Sequence, residues 1–257
     1  MRDGLTDRNF DNLASRFSQN IYNTTKGQIR QAVLMRDLLE LPQLAHPCAV
    51  LDVGGGQGQL ALKLAALGHQ VLLTDISNEM LEHAKVQAAA QGLSSQLTVV
   101  HSPLQHLAEH LVDKQYPIVL CHAVLEWLAE PAVAIRQLQQ WVAPGGVLSL
   151  MFYNKDAHRL SNIIYGNFDY VKADLRAKKP VRLNPQHPLV PAEVLSWCQQ
   201  AGFTLLGKTG VRCFHDYLRD RSQQQSHYAD LEALELQYNR QEPYASLGRY
   251  THFLLKA

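Results

Sequence analysis

An unbroken apolar run, Cys48-Ala49-Val50-Leu51-Asp52-Val53, passes straight into Gly54-Gly55-Gly56-Gln57-Gly58 and resumes with helical spacing from Leu60 to Leu67. A short apolar run stopped by glycines reads as a strand buried on both faces, and such strands belong to α/β sheets. The glycines let the backbone turn tightly and approach a ligand without Cβ clashes, and the helix that follows adds N–H donors at its N-terminus. The rhythm continues. Gly68 closes the first helix as a C-cap, Val71 to Leu73 is a second strand, and Asp75 lies just past its end. Ser77 is an N-cap for a helix over 78–91 that Gly92 ends. Further strands are expected at 97–101, 118–122 and 147–152, with helices between them. This alternation predicts parallel βαβ units, hence a doubly wound α/β sheet with helices on both faces.

The flanks of that pattern differ. Residues 8–42 read as an N-terminal helical cap that ends near Pro42. Residues 155–190 are polar and contain proline, and they are expected to form an insertion rather than a crossover helix. A helix over 192–200, strands at 203–206 and 251–255, and a helix over 228–238 complete the expected single domain.

Glycine spacing narrows the ligand. A dinucleotide fingerprint needs a third glycine at position 59, which is Gln59; the chain reads D-x-G-x-G-x-G from Asp52 to Gly58 instead. Asp75 comes 17 residues after Gly58, where a carboxylate at a strand end can accept hydrogen bonds from both hydroxyls of a ribose. A purely structural turn, and a capping role for Asp75 ahead of Ser77, are the alternatives.

With these residues the chain resembles the class I S-adenosylmethionine-dependent methyltransferases: the glycine loop, the acid after strand two and Ala143-Pro144-Gly145-Gly146 before strand five follow that superfamily's order. The resemblance implies a Rossmann-like, seven-stranded, mostly parallel sheet with an antiparallel last strand and S-adenosylmethionine across the strands' carboxyl ends. Asp52, Gly54, Gly55, Gly56 and Gly58 would face its methionine part, Asp75 its ribose, and Leu104 with Gln105 its adenine. His122 ends strand four, where ligands sit in open α/β sheets, and Arg30 suits the cofactor carboxylate. A structural histidine and a solvated arginine are the plain alternatives.

Charge adds a second line. With 24 Lys and Arg against 23 Asp and Glu, the net charge of +1 excludes a chain that is basic all over. From Lys155 to Arg182, however, seven bases face three acids, and Tyr165, Phe168 and Tyr170 lie among them. Bases engage phosphates and aromatics stack on unpaired nucleobases, so Lys172, Arg176, Lys178, Lys179 and Arg182 are candidate RNA contacts. The charge run alone reads equally well as a solvated face. The opening residues, MRDGLTDRNF, have no apolar core of a signal peptide, and no run approaches the roughly 18 apolar residues of a spanning helix. Four widely spaced cysteines without a CxxC pair give no expectation of disulfides or zinc. A cytoplasmic protein without bound metal is the expectation.

Longer segments, among them RNFDNLASRFSQNIYNTTKGQIRQAVL, HAVLEWLAEP, PGGVLSLMFYN, GNFDYV, KTGVRCFHDYLRD and RQEPYASLGRY, are similar to the bacterial tRNA 5-carboxymethoxyuridine methyltransferases. The likeness spans nearly the whole chain, though Val53 and Gln57 stand where relatives carry Ala and Glu. It implies methylation of the carboxylate on the modified wobble uridine of tRNA, giving a methyl ester, and puts Arg30, Gly54, Gly55, Asp75, Leu104, Gln105 and His122 at cofactor-binding positions. A carboxylate of pKa about 4 is already ionised at pH 7, so positioning groups are expected rather than a base or nucleophile. Arg212, His215, Tyr217 and Arg249 are the candidate acceptor contacts. The competing readings are a methyltransferase of a small metabolite such as a quinone, which the basic insertion disfavours, and a non-catalytic binding module. An NAD-dependent dehydrogenase is disfavoured by Gln59.

Overall fold

The computed structural model describes residues 24–111, 114–176 and 187–257. Residues 8–23 of the expected cap, and Lys178, Lys179 and Arg182, lie outside the described residues.

Helix α1 (Thr25–Leu39) starts at Thr24, whose hydroxyl caps the Gly27 N–H, and buries Ile29, Val33, Leu34 and Leu38. Strands β1 (Ala49–Val53), β2 (Gln70–Asp75), β3 (Leu97–His101) and β4 (Tyr116–His122) alternate with α2 (Gln59–Ala66) and α3 (Asn78–Ala90). Ser77 caps α3 by accepting from the Met80 N–H, as the sequence predicts. After α4 (Pro131–Trp141) come β5 (Val142–Tyr153), α5 (Lys155–Ile164), α6 (Phe168–Lys172) and α7 (Pro191–Gln200). The chain closes with β6 (Thr204–Val211), α8 (Gln223–Ser226), α9 (Tyr228–Tyr238), α10 (Tyr244–Leu247) and β7 (Tyr250–Lys256).

The sheet order is β3-β2-β1-β4-β5-β7-β6, and β7 runs antiparallel to both its neighbours. The order reverses between β1 and β4, so the crevice for a ligand opens at their carboxyl ends. Strand alternation splits the core. Leu120, Val147 and Met151 face the layer holding α1 and α2, whereas Val119, Cys121 and Leu148 face the layer holding α4 and α7. Burial on both faces is why the central strands read as continuous apolar runs.

The segment after β5, expected as an insertion, has helices of its own. It begins with a ten-residue helix, α5, capped by the Asn154 side chain, which accepts from the Asp156 and Ala157 N–H groups. Its three acids take up much of the local positive charge: Lys155 and Arg159 pair with Asp174 at 2.9 and 3.4 Å, and Arg159 with Asp156 at 3.0 Å. Exposed Lys172 sits 4.0 Å from Asp169, while Arg176 is exposed.

Candidate cofactor and acceptor site

One cleft gathers most of the expected cofactor residues. Arg30 from α1, Asp52 near the end of β1 with Gly54–Gly56 just after it, Asp75 as the last residue of β2 rather than just past it, Leu104 and Gln105 after β3 and His122 ending β4 all line it. Gly58 does not; with φ +71 it turns the chain into α2 as that helix's N-cap. Counted with its open mouth, the space in the cleft is about 1440 Å³.

The glycine turn is held open by close packing. Gly54 has φ +69, and a Cβ there would meet Val124 Cγ2 at 2.5 Å. A Cβ on Gly55 would collide with the Asp52 carboxylate and with Leu73. Asp75 braces the same turn: Oδ2 accepts from the Gly56 N–H at 2.9 Å and Oδ1 from the Ser77 N–H at 2.8 Å. The capping role and the ligand role are therefore compatible, because each carboxylate oxygen has a second lone pair.

The floor is unusually acidic. Burial, then the neighbouring Asp75, pushes the Asp52 carboxyl up to about 7 against the pull of Arg30. Glu126, in the 3-10 turn Leu125–Trp127, is fully buried, and neither of its oxygens has a partner at hydrogen-bonding geometry. Burial pushes it up to about 7 as well, with nearby backbone N–H groups and Arg30 opposing. Two buried carboxyls facing one arginine leave a site short of positive charge and donors, which suits a cationic ligand rich in N–H groups. Sequence reasoning singled out Asp52 but not Glu126, whose only signal was an acid placed between Leu125 and Trp127, directly after a strand end.

The four acceptor candidates do not line the cleft; they cluster beside it. Tyr250, which does line it, lies 5.8 Å beneath the Arg212 guanidinium and packs edge-on against Tyr153, and Tyr153 lies 5.1 Å beneath that of Arg249. Asp216 joins the group: it pairs closely with Arg212, accepts from His215 Nδ1 at 2.9 Å, and lies 3.8 Å from Arg249 Nε. Burial raises the Asp216 carboxyl, but Arg212, His215 and Arg249 outweigh it and hold it well below the usual carboxylate range. Partial burial and Arg212 likewise hold Lys26 below the usual lysine range. Two guanidiniums, those of Arg212 and Arg249, thus share one carboxylate. His215, by contrast, is buried between Asp216 and the Thr25 hydroxyl, 2.9 Å from its Nε2. Tyr217 donates to the Ala157 and Leu247 carbonyls at 3.2 and 3.1 Å, which ties α5 to α10.

Comparison with known proteins resolves what this geometry belongs to. Residues 51–150 match the family model of a methyltransferase domain. The chain is 49% identical over 250 residues, 96% of its length and 95% of the relative's, to the tRNA 5-carboxymethoxyuridine methyltransferase of Escherichia coli strain K12. This chain belongs to the tRNA 5-carboxymethoxyuridine methyltransferase family. A ubiquinone biosynthesis O-methyltransferase of Vibrio parahaemolyticus is 30% identical over 63% of this chain and 66% of its own. The fold has solved counterparts: the CcbJ methyltransferase from Streptomyces caelestis superposes with a TM-score of 0.62 at 17% identity, over 95% of this chain and 96% of that one. The fold is the Rossmann-like methyltransferase fold and the chain is a methyltransferase. Among the described residues no helix is long and apolar enough to cross a membrane, and no group of three or more metal-ligating side chains occurs.

Proposed function

We propose that this member of the family transfers a methyl group from S-adenosylmethionine to the carboxylate of 5-carboxymethoxyuridine at the wobble position of tRNA, forming the methyl ester. The single observation that carries the reading is the juxtaposition of the glycine-turned, acid-floored cleft with the Arg212–Asp216–Arg249 cluster across Tyr250. One side suits a cationic cofactor, and the other suits an anionic acceptor.

The cleft residues fit the cofactor: Asp75 at a strand end for the ribose, Arg30 for the carboxylate, Asp52 and the bare Gly54–Gly56 backbone for the amino-acid part, and Leu104 with Gln105 for the adenine. When bound, S-adenosylmethionine supplies an activated methyl group on a sulfonium. The acceptor carboxylate is ionised near neutral pH, so no side chain need remove a proton. Arg212 and Arg249 are assigned to hold the acceptor anion, because among the described residues each guanidinium has one carboxylate partner, Asp216, and shares it with the other and with His215. His215 and Tyr217 are assigned to bracing that cluster. Transfer cancels charge on both partners, so a site that excludes water and aligns the groups lowers the barrier without a catalytic base.

Around that chemistry the whole of residues 1–257 is read as one methyltransferase domain acting in the cytoplasm, with tRNA held by its basic insertion. Lys172 and Arg176 stay in the RNA-contact set on exposure, with Lys178, Lys179 and Arg182 beside them in sequence. Nucleoside mass spectrometry of tRNA from a strain deleted for the gene tests the reading: the methyl ester disappears and the free acid is retained. Unchanged tRNA with a block in a small metabolite's methylation would replace it with the small-molecule reading.

A further inference from the structure

A chain of buried polar side chains runs from the cleft through the sheet to α1. His122 Nε2 lies 2.8 Å from Ser149 Oγ, Ser149 Oγ lies 2.7 Å from His252 Nε2, and His252 Nδ1 lies 2.9 Å from Asp37 Oδ2. The other oxygen, Asp37 Oδ1, accepts from Arg36 at 2.7 Å and from Arg240 at 2.6 Å. Ser149, His252 and Asp37 are at most 1% exposed, and the two imidazoles meet edge to face at 5.7 Å. His122 lines the cleft, yet its second nitrogen, Nδ1, is buried with no hydrogen-bond partner.

Proton counting fixes the polarity of this chain. An ionised Asp37 only accepts, so His252 Nδ1 carries a proton. With that proton alone, His252 Nε2 accepts from the Ser149 hydroxyl, whose lone pair takes the proton on His122 Nε2. Every contact is then made, and His122 Nδ1 is left as a bare lone pair. The reverse polarity needs a second proton on His252, adding a third cation around Asp37, and an N–H on His122 Nδ1 with nothing to accept it. Orphaned buried N–H groups are rarer and costlier than an unused lone pair, and an uncompensated buried charge is costlier still. Burial, helped by His252 and Arg30, also keeps His122 neutral by holding it well below the usual imidazole range.

We propose that Asp37, His252 and Ser149 are positioning residues that lock His122 in its Nε2–H tautomer, so that the imidazole at the cleft offers a hydrogen-bond acceptor and never a donor. The ligand class it selects is a primary ammonium, and on the cofactor reading above this is the amino end of S-adenosylmethionine. Arg30, which lines the cleft, and Asp37, which ends the polar chain, lie seven residues apart on one face of α1.

The test is long-range proton–nitrogen NMR on cofactor-free, full-length protein carrying nitrogen-15 histidine, with His122 assigned by its absence in His122→Gln. The expected result is the Nε2–H form in the wild type, and an Nδ1–H form or a cation there overturns the proposal whatever the Ser149 variants show. Ser149→Ala is expected to abolish the single tautomer and to weaken S-adenosylhomocysteine, measured by calorimetry, by about tenfold, the worth of one lost hydrogen bond. Ser149→Thr, which keeps the hydroxyl, is expected to restore both. An unchanged tautomer and affinity in Ser149→Ala overturns the positioning role. Wild-type protein that binds no S-adenosylhomocysteine but shows the Nε2–H form overturns the cofactor assignment instead, so the two failures are distinct.

Discussion

Asp75 shows how one side chain serves both structure and ligand. Its two oxygens hold the Gly56 and Ser77 N–H groups and so fix the turn whose backbone faces the cleft. Replacing it with alanine is expected to weaken S-adenosylmethionine by at least about a hundredfold, since two hydrogen bonds to a charged acceptor are lost. Calorimetry measures this, with circular dichroism confirming the fold. Glu126 makes a different prediction. Its folded-state carboxyl is raised from 4.5 to about 7, so the folded protein binds more protons than the unfolded chain between those values. Stability without cofactor therefore falls as pH rises through that window and levels off above it, by an amount on the order of 3 kcal/mol for this group. Glu126→Gln should flatten part of that fall and raise the melting temperature near pH 8, while Asp52 keeps the rest of the slope. Equal pH dependence in both proteins would show that Glu126 is ionised when unliganded. At this scale the sequence was legible where chemistry sits in a motif. Asp52, Asp75 and the glycines were found from spacing, whereas Glu126, Ser149, His252 and Asp37 act through burial and cross-strand neighbours that no local pattern reveals.

At the scale of elements, the β1–α2 turn tolerates little change. Gly55 carries no side chain because a Cβ would occupy the space of the Asp52 carboxylate and Leu73. Gly55→Ala is expected to lower the melting temperature and to reduce cofactor affinity more than tenfold. Near-wild-type affinity would mean that the turn relaxes and does not set the site. The strands β1 to β4 and the helices between them were readable because parallel strands buried on both faces stay apolar throughout. Two elements are only partly legible in the sequence, for physical reasons. Strand β5 begins at Val142, five residues before its apolar run, because Val142 pairs with Tyr116 across an irregularity and the strand carries Pro144, Gly145 and Gly146 within it. Helix α5 lies in the segment read only as a polar insertion; its signals are the Asn154 cap and the inward spacing of Ala157 and Ser161.

For the whole molecule, a net charge of +1 hides an uneven distribution. The described part of the insertion satisfies much of its own charge through Asp156 and Asp174, so the bases proposed to meet phosphate are exposed Lys172 and Arg176 with Lys178, Lys179 and Arg182, together with the Arg212–Arg249 cluster. Reversing Lys178, Lys179 and Arg182 to glutamate is expected to weaken tRNA and to flatten the slope of log affinity against log salt by about 2, at roughly 0.7 per phosphate contact with single strands. Filter binding across a salt series measures it, and wild-type affinity with an unchanged slope would move the RNA face elsewhere. Cofactor affinity should be untouched, which separates the RNA surface from the cleft. The central claim joins those two surfaces in one reaction. Its most direct test is to incubate the purified protein with S-adenosylmethionine carrying a deuterated methyl group and tRNA bearing the free carboxymethoxyuridine, then to digest the tRNA and weigh its nucleosides. The labelled methyl is predicted on the wobble nucleoside as its ester. An unaltered free acid, or label on any other nucleoside, would contradict the account.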